Sequence, residues 1–66
     1  MFFFLPMSSE ITPGSLVRLP GEPDWGIGQV QSVVGNRVTV NFEEAGKKLI
    51  NVDHAPLEVV RRPPDF

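Results

Sequence analysis

The stretch WGIGQVQSVVGNRVTVNF, residues 25–42, decides the fold. In its second half Val38, Val40 and Phe42 alternate with Arg37, Thr39 and Asn41. That is the period-two pattern of a half-buried strand, built from β-branched and aromatic residues. Gly35-Asn36 sits where a two-residue turn is needed and supplies the positive φ angles of a primed hairpin turn. In the first half, Gly26 and Gly28 flank Ile27, a spacing that marks a bend, a bulge or the close approach of another backbone. Val30 and Val33 are both suited to a core yet lie three apart, which predicts a bulge near Gln31-Ser32. Everything else in the chain has to cover the apolar face of this hairpin.

Composition bounds what can do so. The 66 residues make one small domain with a single core, and no cysteine is present to staple it or to bind a metal as thiolate. Seven prolines and six glycines favour turns over helices. A formal charge of −2 gives no broad electrostatic footprint for nucleic acid or an anionic membrane. No apolar run approaches the ~20 residues of a membrane span, and a cytoplasmic, monomeric protein is the expectation.

Outward from the hairpin, Ser15–Leu19 is expected to form a first strand with Val17 inward and Leu16 and Arg18 on the other side. Pro20–Asp24 is a loop stiffened by two prolines that delivers the sole tryptophan, Trp25, to the hairpin. Glu43–Gly46 is a turn with Gly46 suited to the left-handed position. Residues 47–52 form a fourth strand in which Leu49 is expected to point inward. Asp53–Pro56 breaks the ladder as a single helical turn capped by the Asp53 carboxylate, and residues 57–60 form a last strand. The organisation expected is a disordered extension over residues 1–10, a domain over 11–61 and a frayed tail over 62–66. The MFFFLP segment at residues 1–6 lacks the basic start and the length of a secretory signal, and Met7 is the expected natural initiator. Five short strands with one-turn interruptions predict an all-β, partly open small barrel of the SH3-like or Tudor-like kind, with a single-turn helix before the last strand.

The order PGSLVRLP, PDWGIGQVQSVVGNRVTVNFEEAGKKLI and HAPLEVV resembles a family of small bacterial proteins known as a domain of unknown function. It is also similar to the Tudor-like module at the C-terminus of the repair helicases UvrD and PcrA. More distantly it resembles the RNA-polymerase-interacting domain of CarD and of the transcription-repair coupling factor. The likeness runs from Pro13 to Val60 and is most specific at Trp25–Gly28 and Ala55–Glu58. Where those families often place a histidine before the proline that ends the first strand, this chain has Leu19. The resemblance implies docking onto a large partner, often RNA polymerase, without chemistry of its own.

The residues themselves point the same way. Trp25 is either an exposed binding anchor or a ring that closes one end of the barrel. A methyl-lysine cage needs several aromatics at one site, and only Trp25 and Phe42 are available within the barrel. His54, the only histidine, has neither a nucleophile nor further metal ligands in its vicinity of sequence, so no enzyme and no cofactor is expected. The basic doublets Lys47-Lys48 and Arg61-Arg62 are too few for a broad phosphate-binding surface, although Arg18, Arg37 and Lys48 could share one face. The expected partner-binding set is Pro23, Asp24, Trp25 and Gly26 with Arg18, Arg37, Lys47 and Lys48. The expected function is a non-enzymatic protein-interaction module, with a weakly nucleic-acid-binding accessory domain as the alternative.

Overall fold

The computed structural model describes residues 11–63; the expected extension over 1–10 and the end of the tail at 64–66 lie outside the described residues. Five antiparallel strands form one sheet: β1 (Leu16–Arg18), β2 (Gly28–Val34), β3 (Arg37–Phe42), β4 (Gly46–Asn51) and β5 (Glu58–Arg61). Their spatial order is β4-β3-β2-β1-β5, so β4 and β5 are the two edges and the sheet is not closed. This is the open form of the barrel that the strand pattern predicts.

The β2–β3 hairpin turns at Gly35, whose φ is +59°. Val34 pairs with Arg37 across it and Val33 with Val38. The register slips between Val30 and Ser32, leaving Gln31 as the extra residue. The expected bulge is therefore present, and it returns Val33 to the face that Val30 occupies, because directly paired residues share a face. Val17, Leu19, Val30, Val38, Val40, Phe42 and Ile50 form the buried core. The one buried polar side chain among the described residues, Ser15, is satisfied locally: its hydroxyl oxygen accepts from the Thr12 amide at 3.3 Å and also meets the Thr12 hydroxyl at 3.3 Å.

Gly28 is the tightest point. A Cβ there would stand 2.4 Å from Val40 Cγ1 and 2.8 Å from the Phe42 ring. It is two core side chains, not another backbone, that close onto β2 at Gly28, while Gly26 at φ +76° supplies the bend.

Two expectations need correction. In β4 the inward residue is Ile50, at 6% exposure, while Leu49 is 63% exposed. The cause lies in the preceding turn. Ala45 N–H donates to Phe42 C=O, Gly46 takes φ +76°, and Phe42 pairs with Gly46 across a three-residue loop. A type I turn followed by a left-handed residue has this geometry. It sets the parity, so Lys48 and Ile50 face Val40 and Val38 and turn inward, and Leu49 turns outward opposite Thr39. Second, the connection from β4 to β5 is a turn and not a helix. Asn51, rather than Asp53, organises it: its carbonyl accepts from the His54 and Ala55 amides and its side chain accepts from the Asp53 amide. The Asp53 carboxylate instead accepts from the Asn36 side-chain amide at 2.8 Å, tying this turn to the hairpin turn. The short 3-10 turn of the chain lies earlier, at Pro23–Trp25.

Urea denaturation tests the parity of β4 directly. Ile50→Ala is expected to lower stability by ~2–5 kcal/mol, as a large-to-small change in a core does, and Leu49→Ser to change it by no more than ~0.5 kcal/mol. The reverse ranking would refute this register. Gly28→Ala should cost ~1–3 kcal/mol by overpacking.

Candidate functional site

Trp25 is held by two loops that brace each other. The chain leaves β1 through a turn in which Glu22 N–H donates to Leu19 C=O at 2.9 Å. Pro23 then opens the 3-10 turn, where its fixed φ is compatible and its missing N–H costs nothing. Trp25 N–H donates to Glu22 C=O and Gly26 N–H to Pro23 C=O. Gly26, at φ +76°, redirects the chain into β2. The β3–β4 turn is stitched onto this segment: Glu43 N–H donates to Ile27 C=O at 2.9 Å and Glu44 N–H to Trp25 C=O at 3.0 Å. An anchor on so cross-bonded a turn loses little freedom on binding.

The indole is half-buried: it neither stands free of the barrel nor disappears into its core. One edge packs on Phe42, with ring centroids 5.2 Å apart and an interplanar angle of 62°. Lys48, turned inward by the parity of β4, places Nζ 5.1 Å from the Trp25 ring centre, within cation–π range.

Beside Trp25 lies an open groove of about 710 Å³, a size typical of ligand sites. Leu19, Pro20, Trp25, Ile50 and Leu57 give it an apolar lining. It also borders Leu49 and Asn51 of β4 and Glu58 of β5, which places it on the side where the sheet fails to close. Glu22, Glu58 and His54 bring the ionisable groups to its rim. Glu58 is engaged: Arg18 Nε donates to Glu58 Oε1 at 2.8 Å. That hydrogen bond, and then the charge of Glu58, raises the Arg18 pKa above its ordinary value. The guanidinium is charged at any working pH in either case.

Of the residues that the sequence singles out, Pro23, Asp24, Trp25 and Gly26 form one continuous turn, and Lys48 joins them. Lys47 is the neighbour of Lys48 but faces the other side of the sheet, opposite Asn41. Arg18 lies on that outer side too, and with Pro23, Gly26 and Glu43 it lines a smaller hollow of about 400 Å³. Arg37 is not brought to Trp25. It pairs with Val34 at the hairpin end of β3, five residues from Phe42, or about 17 Å along the strand. Arg18, Arg37 and Lys48 thus form no common stripe, because Lys48 points to the core side and the two arginines do not. The groove residues Leu19, Ile50 and Leu57 escape a reading by motif, since their types signal only core. The signal for the groove is topological: it lies between the two edge strands, which residues 52–57 connect without pairing them.

Residues 11–60 match the family model described as "Protein of unknown function (DUF3553)", and the chain belongs to this family. No curated protein and no solved structure matches the chain. Among the described residues no helix is long and apolar enough to cross a membrane.

The stacking of Lys48 on Trp25 has a spectroscopic readout. Lys48→Ala should shift the single-tryptophan emission and cost ~0.5–1 kcal/mol of stability. Trp25→Ala, which also removes the Phe42 contact, should cost about 2 kcal/mol, less than the ~3–5 kcal/mol of a fully buried aromatic. A Trp25→Ala variant with unchanged stability would show that the ring contributes nothing to the fold.

Proposed function

We propose that this member of the DUF3553 family is a cytoplasmic, non-enzymatic protein-interaction module that docks onto a larger protein of the transcription or DNA-repair machinery, such as RNA polymerase. The observation that carries the reading is a half-exposed tryptophan on a doubly braced turn, at the mouth of an open apolar groove. Tryptophan is among the residues in which binding hot spots are enriched. The partner class comes from the likeness of Trp25–Gly28 and Ala55–Glu58 to the helicase, CarD and coupling-factor modules.

The charges favour a protein over nucleic acid. Arg18 is paired with Glu58, Lys48 lies over Trp25, and Arg37 stands at the far end of the hairpin. Arg18, Lys48 and Arg37 therefore do not gather on one surface to meet phosphates, and phosphate contacts supply most of non-specific nucleic-acid affinity.

Pull-down with the tagged chain, with and without nuclease, tests this reading. Capture of a protein partner should survive nuclease and be lost in Trp25→Ala, once circular dichroism shows that variant folded. Duplex DNA binding with a steep salt dependence, lost in the Lys47/Lys48 double alanine variant and kept in Trp25→Ala, would overturn it.

A further inference from the structure

We infer that the groove receives one extended peptide strand bearing Lys or Arg, added to the free edge of β4; the inference rests on the protein-interaction reading above. The hydrogen-bond phase of β4 shows which of its main-chain groups are available. Val52 N–H donates to Asn36 C=O at 3.0 Å, which fixes the alternation of the antiparallel pair. Counting back by twos, Ile50, Lys48 and Gly46 turn their amides and carbonyls toward β3, opposite Val38, Val40 and Phe42. Lys47, Leu49 and Asn51 turn theirs outward. The Asn51 carbonyl obeys this phase, since it accepts from His54 and Ala55 on the outer side. Among the described residues those of Lys47 and Leu49 have no strand beside them, because β4 ends the sheet. Such a row of unpaired groups is the template for strand addition.

The groove supplies what side chains of the added strand would meet. Leu49 and Asn51 line it alongside Trp25, Ile50 and Leu57, so the free edge and the apolar floor belong to one depression. Alternate residues of an added strand would drop onto Leu19, Ile50, Trp25 and Leu57, and the remaining ones would cover Leu49, now 63% exposed. Leu49 on an edge strand is otherwise an aggregation liability.

Charge specifies the occupant. Glu22 is on the groove rim, and Asp24, Glu43 and Glu44 lie in the two loops joined at its Trp25 end. The Arg18–Glu58 pair is internally neutral. These four carboxylates outnumber Lys47 and Lys48 of the adjoining strand, and among the described residues no ion pair engages any of the four. A peptide entering along β4 therefore meets a net negative end, which fits a cationic residue next to its apolar ones.

The test uses the full 66-residue chain and end-blocked, fluorescein-labelled octapeptide pools, each pool fixed at one position, read by fluorescence polarisation. Pools with Val, Ile or Leu at alternate positions and Lys or Arg at one end should bind at least tenfold tighter than the same pools with Glu. For the best single sequence, N-methylating alternate amides should weaken binding tenfold or more in one register and leave it unchanged in the other. Amide shifts of the labelled chain should centre on Lys47–Asn51 and Trp25, and Glu22→Lys should weaken binding several-fold. Preference for Glu, indifference to N-methylation in both registers, or shifts centred on Arg18 and Arg37 would overturn the inference. So would a dimer in sedimentation with the same shifts, a tenfold gain in affinity on deleting residues 1–10, or failure of every pool. If any of these occurs while Trp25-dependent capture of an intact protein persists, only the strand-addition inference falls. Loss of that capture as well removes the interaction reading with it.

Discussion

The absence of a side chain at Gly28 is the constraint on which the rest of the molecule depends. Val40 and Phe42 press so closely on the β2 backbone that any Cβ at this position would overlap them. In a chain of 66 residues the core has few large side chains to spend, and among the described residues Phe42 is the only phenylalanine within it. Seating that ring against bare backbone brings the sheet together without a second aromatic opposite. The same arrangement leaves an edge of Phe42 for Trp25, which meets it at 62°. Trp25 is then held by one contact face and a braced turn and is not swallowed by the core. The packing of the hairpin thereby decides how much of the tryptophan stays exposed.

A second constraint acts through parity. The three-residue turn at Glu43–Ala45 pairs Phe42 with Gly46, and every inward or outward assignment in β4 follows from that pairing. A loop one residue shorter or longer would bring Leu49 inside, expose Ile50 and turn Lys48 away from Trp25. The phase of the edge hydrogen bonds would shift with it. One turn thus links the core residue, the cation on the indole and the main-chain groups that β4 offers to solvent.

This explains what was legible in the sequence and what was not. The hairpin from Gly28 to Phe42 was legible down to its bulge, because strict alternation on β3 leaves only one way to place Val30 and Val33 on the same face. Lys47-Lys48-Leu49-Ile50 has no such alternation: two polar residues precede two apolar ones, and either leucine or isoleucine could face in. Only the geometry of the preceding turn distinguishes them. The helix expected near Asp53 failed for a related reason, since Asn51 and Asp53 are equally good local acceptors and Asn51 sits where the last strand carbonyl already points outward. Trp25 and its turn stood out by composition. The groove did not, because Leu19, Ile50 and Leu57 differ from core residues only in lying beside the gap between β4 and β5.

That gap also bears on how a sheet this small avoids unwanted pairing. Closing it would pair the edges of β4 and β5 and remove the groove between them. Leaving it open exposes main-chain donors and acceptors that invite unwanted pairing. The surroundings restrain that tendency. The edge is short, it ends in a turn that consumes the Asn51 carbonyl, and it carries Lys47 and Lys48 near its start. A carboxylate-rich pair of loops borders the same end. The carboxylates oppose an acidic strand and the two lysines a basic one, so a strand that pairs here has to match both signs of charge around one unclosed edge.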